Sequence, residues 1–558
     1  MKLQHIIQWS IIGLFFVLVL VQSQKKFVLD EIDFPIVSFA ASETGLPIYY
    51  RGEDTPHHIG IYHPTLYIHS LALFIKLFGF NEGVVRLFGA ISVFLSALIM
   101  LQIYRLLFLQ KEELEKDFFS IIFLSLYLLN PYTIANATLP DIDSTILPAL
   151  LLAFIYLALH FFKDVSNINV KTHYKAIFYL GLLFAVNLWA KLTTPLILPV
   201  FLFGLLLLKN RLKRSLLVTA LTALVGLAIF LVTYLTYCFM LHLPAVYTFS
   251  FLLQSFTKGT SGGISLFDKI LFNITFLNDF IYWVTLPLTT LIVAGFYNAL
   301  SKIKNRGYDI SLLLGILALL TTIFYICLIS PFGGFFKYPF AVFSLLLLLP
   351  SVFLAEYIYQ SRKNNLILTA FAFFIFIGYI ETKYFSDTVF KTHIMPNHYL
   401  ELLIASVFFW YAVCKMQLKS IALFLFAFTL GWSVGLSRVQ AIATYPTKYD
   451  YGQIGLDESV SYLKTRLSPD DIIWSMKDIG YYSNNHYIES YGYYFDKKLE
   501  NNLVDLLHEK KVKYFVGTVN IGEDRLDAYP SIKKILDENA LFETQIGNYM
   551  IYKNKFYE

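Results

Sequence analysis

Apolar runs of roughly 17–25 residues recur between residues 5 and 436, each long enough to cross about 30 Å of hydrocarbon as a helix. Such a chain has few folds open to it. Lipid offers the backbone no hydrogen bonds, so each crossing must be a helix that satisfies its own peptide groups, and the crossings must bundle. The composition agrees. Hydrophobic residues make up 57% of the 558 positions and charged residues only 15%, where a soluble domain carries about 25%. Phe (53) and Tyr (39) take much of the vacated share. The net charge of +5 is small and scattered among connectors, which argues for topology and against a nucleic-acid partner. Cys238, Cys327 and Cys414 stand far apart without paired spacing, so neither a disulfide framework nor a zinc knuckle is expected.

About thirteen spans are expected, over 5–22, 84–108, 118–134, 142–162, 175–190, 194–208, 215–237, 281–300, 310–329, 338–358, 365–380, 400–414 and 419–436. The first resembles a signal-peptide core, but it is long and no small-residue cleavage site follows, so it reads as a retained span. Alternate connectors are short and basic: 209–214, 301–306, and Arg362 with Lys363. The positive-inside rule places these, and the N-terminus, in the cytoplasm. An odd number of crossings then puts the C-terminus outside.

Residues 1–440 thus form a membrane domain with two long outer loops, 23–83 and 238–280. Leu66 to Phe78 in the first loop suits a helix lying in the interface. In the second, the glycine-rich tract 258–263 reads equally as a lid or a linker. From 441 to 558 charges become frequent and helical patterns alternate with short β-rich runs, which implies a small soluble α/β domain. Strands are expected at 472–476, 513–519 and 549–552, and helices at 499–509 and 531–539. A further helix is expected to be capped by Asp457. This domain shows no glycine-rich phosphate loop.

Chemistry-bearing residues gather at the outer ends of the spans. Asp30 and Glu31 follow the first span; they read either as a solvated flank or as a carboxylate that takes a proton from an acceptor. Asp141 and Asp143 open the fourth span. Their bland reading is helix-start chemistry facing the positive end of the dipole. Their functional reading is a second acidic site holding a divalent ion or an acceptor. Lys191, Arg86 and Lys337 stand at span ends, where basic side chains usually snorkel to the interface. Three of them beside two acidic sites suit a bound phosphate. His57, His58 and His63 lack the rest of a zinc set, and His63 reads as part of a turn beside the site, near Tyr67 and Tyr338.

Taken in order, these segments resemble one family. They are Asp30-Glu31, HPTLY at 63–67, FNEGVVRL at 80–87, LPDID at 139–143, LWAKLTTP at 188–195 and FKYPF at 336–340. The set resembles the GT-C superfamily of membrane glycosyltransferases, in its protein O-mannosyltransferase and aminoarabinose transferase (ArnT-like) branch. Thr65 departs from the second proline common after His-Pro there. The resemblance implies a hexosyl- or pentosyltransferase of the plasma (inner) membrane, with its C-terminal domain extracytoplasmic. It would use a polyprenyl-phosphate sugar donor, act on a lipid, glycan or protein acceptor at the outer face, and invert. It further implies Asp30 as catalytic carboxylate with Glu31 beside it, Asp143 ahead of Asp141 as the second acidic site, and Lys191 near the donor phosphate. Beyond a divalent cation at that acidic site, no cofactor is implied.

The alternatives are a transporter or flippase of a lipid-linked glycan and a non-catalytic scaffold. A transporter would carry ionisable residues deep within its spans and often an internal repeat, and the sequence shows neither.

The topology is directly testable. A reporter active only outside the cytoplasm is expected to work when fused after Glu558 and to fail after Arg214 or Arg306. The reverse pattern would place the candidate site on the cytoplasmic face.

Overall fold

The computed structural model describes residues 3–53 except 24, 25 and 28; 63–250; 270–360 except 271–272, 274–276, 285, 307–308 and 330–336; and 454–557 except 496, 510 and 520–524. The expected spans at 365–380, 400–414 and 419–436, and the tract 258–263, lie outside the described residues. Contacts divide the chain into two compact units. The first comprises 1–23, 62–67 and 86–442, and the second 24–61, 68–85 and 443–558. Much of the first outer loop, grouped with the membrane part in the sequence, therefore shares a unit with the C-terminal residues.

The first unit is helical. Four described helices are long and apolar enough to cross a membrane: Leu3–Val21, Glu82–Leu107, Leu212–Met240 and Ile310–Cys327. A fifth candidate, Glu113–Leu128 with Tyr132–Thr138, is bent by 63°. Large apolar side chains such as Trp9, Val232 and Phe239 face outward while Ser, Thr and Asn lie inside, as expected of a multi-pass membrane protein. Several expected spans are shorter or broken. The fourth begins at Ile146, not residue 142. The tenth is split into Lys337–Phe340, Phe343–Leu346 and Leu348–Gln360, with Pro350 unable to donate back to Leu346 across the last break.

Sequence spacing explains the packing of this unit. Phe119, Phe123 and Tyr127 recur every four residues, so their rings share one helix face and form a stacked column that runs from Tyr104 to Phe340. Toward the other end of the same helix, Lys111 bridges Glu115 and Glu356, and Lys302 adds a second bridge to Glu356. Gly181 and Gly226 let Tyr174–Ala190 lie against Leu212–Met240: a Cβ on Gly226 would sit 2.6 Å from the Gly181 carbonyl oxygen.

The second unit holds a five-stranded sheet of order β2-β1-β3-β5-β4. Its strands are β1 Ile472–Ser475, β2 His486–Glu489, β3 Val512–Thr518, β4 Ala540–Ile546 and β5 Tyr549–Asn554. β1 is parallel to β2 and β3, whereas β5 is antiparallel to β3 and β4. The period of two along β3 separates two cores. Phe515 joins Trp474, Leu503, Leu507 and Tyr552, while Tyr514 and Val516 join Leu463, Ile473, Tyr487 and Ile551. The helix attributed to an Asp457 cap instead spans Leu456–Lys464, and the position before it is Gly455 at φ +93°. A side chain at 455 would be strained there and would meet the Ile546 carbonyl.

Segments of the first loop complete this unit. Residues 51–53 run beside β2, where Tyr487 N–H donates to the Arg51 carbonyl and Glu53 N–H to the Tyr487 carbonyl. Lys477 bridges Asp33 at 2.6 Å and Glu489 at 3.1 Å, and the Phe27 N–H donates to the Tyr482 hydroxyl.

The glycine crossing yields a stability test. Overpacking costs about 1–3 kcal/mol, and Gly226→Leu would press on backbone as well as side chain. This variant is expected to melt several degrees lower in detergent, whereas Gly13→Leu, with nothing within 4 Å of its added Cβ, is not. Unchanged melting of Gly226→Leu would contradict the close crossing.

Candidate functional site

The site grows from a break in a helix. Asn130 caps the segment Pro131–Thr138 by accepting from Tyr132 N–H, and Pro131 at the first helical position presets φ. Pro140 then bars continuation and holds Leu139 extended, at φ −83° and ψ 117°. Residues 139–145 therefore form a turn ahead of the helix Ile146–Phe162. The Thr145 hydroxyl donates to the Asp141 carbonyl at 2.6 Å, and the Ser144 hydroxyl to Asn136 Oδ1 at 2.8 Å. Gly89 lets the helix Glu82–Leu107 lie against the end of Pro131–Thr138 and this turn, since a Cβ there would sit 2.4 Å from the Ala137 carbonyl oxygen and 3.2 Å from Thr145 Cγ2.

Asp141 and Asp143 are 7% and 2% exposed. Their partners are lysines, not the amides of the following helix, whose N-cap makes no side-chain capping bond. Lys191 Nζ lies 2.5 Å from Asp143 Oδ2, and Lys337 Nζ lies 2.8 Å from Asp141 Oδ2. The second oxygen of Asp141 accepts the Asp143 N–H at 2.9 Å. The second oxygen of Asp143 is buried and has no hydrogen-bond partner among the described residues. Burial pushes the Asp143 carboxyl up to about 6 against the pull of Lys191, with Asp141 adding to the rise. Burial acts on Asp141 too, but there Lys337 and Lys191 prevail and its carboxyl is held low.

Lys191 stands where the helix Tyr174–Ala190 ends, a favourable place for a cation beside the negative end of the dipole. Its ammonium sits 4.5 Å from the ring centre of Tyr338 and 5.9 Å from that of Tyr325. Tyr325 starts a π-helical turn, Tyr325–Ile329, of the kind that often marks functional sites, and its hydroxyl is hydrogen-bonded to Thr194. His63 feels Lys191, Asp141 and Lys337; burial and then Lys191 hold its imidazole below the ordinary range, so it is neutral. Tyr67 is fully buried and interacts with Asp141 and Thr145.

Seven of the residues singled out in the sequence thus meet in the first unit: His63, Tyr67, Asp141, Asp143, Lys191, Lys337 and Tyr338. Arg86 is buried there too, donating to the Thr138 carbonyl at 3.2 Å at the entry to the acidic turn. Asp30 and Glu31 lie in the second unit, in a single 3₁₀ turn, Leu29–Ile32, ahead of the helix Asp33–Thr44. Tyr325 and Thr194 were not singled out; a lone Tyr in an apolar span carries no signal of its own. Among the described residues no group of three or more His, Cys, Asp or Glu is placed to hold a metal ion, and the carboxylates of Asp141 and Asp143 each already give one oxygen to an ammonium.

No protein-family sequence model and no curated protein sequence matches the chain. Solved structures do. ArnT from Cupriavidus metallidurans bound to undecaprenyl phosphate superposes with a TM-score of 0.62 at 15% identity, covering 99% of this chain and 98% of that one. The apo state of the same protein gives 0.63 at 15% identity, covering 98% of both chains. The archaeal oligosaccharyltransferase AglB from Archaeoglobus fulgidus, in complex with an inhibitory peptide and a dolichol-phosphate, gives 0.49 at 10% identity. It covers 98% of this chain and 74% of that one, a likeness too loose to add weight. Nearly the whole of this chain therefore superposes on ArnT, and the chain has the ArnT fold.

Proposed function

We propose that the protein is a membrane glycosyltransferase that moves a hexosyl or pentosyl group from a polyprenyl-phosphate carrier to a lipid, glycan or protein acceptor. Transfer occurs at the outer face of the plasma membrane and inverts the sugar. The observation that supports this most is the pair of lysines, Lys191 buried and Lys337 half-buried, beside two carboxylates, in a chain whose fold is that of a protein that binds undecaprenyl phosphate.

The chemistry asks two things of the protein. A polyprenyl phosphate leaves readily only if the charge that grows on it is met, and preorganised cations in a dry site do this best. Lys191 and Lys337 are such cations, with Arg86 as a third. The acceptor must also lose a proton as it attacks the anomeric carbon from the face opposite the phosphate, and Asp30, with Glu31 beside it, is the proposed base. As the C–O bond to the phosphate breaks, its electron pair stays on the phosphate oxygen and the acceptor's proton goes to the carboxylate. His63, Tyr67 and Tyr338 line the donor's surroundings, and the neutral imidazole can donate a hydrogen bond without adding charge.

The test is transfer by purified protein, using the polyprenyl-phosphate sugar recovered from source membranes. Asp30→Asn is expected to be inactive. Lys191→Met keeps the stem and removes the charge, and a roughly 10- to 100-fold loss is expected, since about 1.4 kcal/mol is tenfold and a charge-assisted bond is worth about 1.5–3 kcal/mol. Near wild-type rates for both variants would contradict the assignment.

A further inference from the structure

We propose that the Asp143 carboxylate is an internal stand-in for the donor's phosphate: an arriving phosphate displaces it from Lys191, and the freed carboxylate then accepts a hydrogen bond from a substrate hydroxyl. This rests on the transferase reading above and adds to it how the site is loaded and emptied.

The two acidic side chains are held very differently. Asp141 is fixed through both oxygens, by Lys337 and by the Asp143 N–H. Asp143 is held through one oxygen, by Lys191, while its other oxygen has no partner among the described residues despite its burial. A buried acceptor without a donor is costly, so its presence points to a group that arrives later. Lys191, by contrast, does not depend on Asp143 for its place. Its backbone N–H closes the helix Tyr174–Ala190 by donating to Asn187, and its ammonium lies over the Tyr338 ring at 4.5 Å. When the carboxylate leaves, the cation stays.

The phosphate and the Asp143 carboxylate compete for one ammonium. Asp141, Asp143, Lys191 and Lys337 sum to zero and the buried Arg86 adds one positive charge, so the site can take one monoanion without burying an uncompensated charge. A phosphodiester carries one negative charge, as a carboxylate does. Substituting one for the other on Lys191 leaves the cation paired and lets Asp143 turn toward substrate hydroxyls. After transfer the leaving group is a monoester with a second negative charge, the C–O bond electrons having stayed on its oxygen. Return of Asp143 to Lys191 then expels it.

The experiment is binding of undecaprenyl methyl phosphate, a monoanionic phosphodiester, to the full chain in detergent, with undecaprenol as the phosphate-free control. The wild type is expected to prefer the phosphodiester, and Asp143→Asn to bind it about tenfold tighter because the competing carboxylate is gone. Asp141→Asn is not expected to tighten it, and Asp143→Asn/Lys191→Met is expected to lose the preference. Unchanged or weaker binding by folded Asp143→Asn, or equal tightening in Asp141→Asn, would overturn the exchange while leaving the transferase reading in place. No preference in the wild type would overturn both. Should Asp143→Asn not fold, the double variant decides, since it removes the pair whole: a retained preference for phosphate would overturn the role of Lys191.

Discussion

Two lysines and two aspartates cannot be buried at the ends of membrane helices unless each charge meets its opposite, because an unpaired ion there costs several kcal/mol. That requirement organises the first unit. The Asn130–Pro131 break, the extended Leu139 before Pro140 and the hydrogen-bonded turn to Thr145 deliver two carboxylates to one place. The end of the helix Tyr174–Ala190 and the start of Lys337–Phe340 deliver the two ammonium groups, with Tyr338 lying against both. The irregular backbone occurs where it is buried in protein and serves the cluster, the condition under which a membrane protein tolerates it.

The two ion pairs are neutral together, and an anion that takes Lys191 must displace Asp143 from it. This separates them from a purely structural ion pair such as Lys302 with Glu356, where one carboxylate meets two lysines and the pair is partly exposed. An acidic side chain held through a single oxygen, beside a cation anchored by its own helix and an aromatic ring, is an arrangement that can change partners. The same low dielectric that penalises an unpaired charge makes each exchange strongly dependent on the charge of the incoming group.

Much of this was legible in the sequence, for physical reasons. Apolar run length located the helices, and Leu66–Phe78 was read to the residue because its boundaries are set by a turn on one side and Gly79 on the other. The charged residues that meet in the first unit stand out in the sequence because charge at a membrane boundary is expensive. Their partners do not. In the sequence, helix-start chemistry explains Asp141 and Asp143 equally well; the lysines that pair with Asp143 and Asp141 stand 48 and 196 positions away. In the second unit, β2 was missed because its four residues sit among Tyr and Asn without an apolar alternation, and β4 because most of its side chains are exposed. Residues 51–53 pair with β2 through backbone groups and a Glu53–His486 side-chain contact, which no apolar periodicity announces.

The most direct measurement is photolabelling. A polyprenyl phosphate bearing a diazirine beside its phosphate, irradiated with the purified protein and mapped by mass spectrometry, reports which residues face the head group. Labels in the peptides spanning 63–67, 139–145, 189–195 and 337–340, competed away by undecaprenyl phosphate and not by undecaprenol, are the expected result. Competable labelling confined to residues 454–557, with none at the lysine–carboxylate cluster, would contradict the assignment of that cluster as the phosphate site.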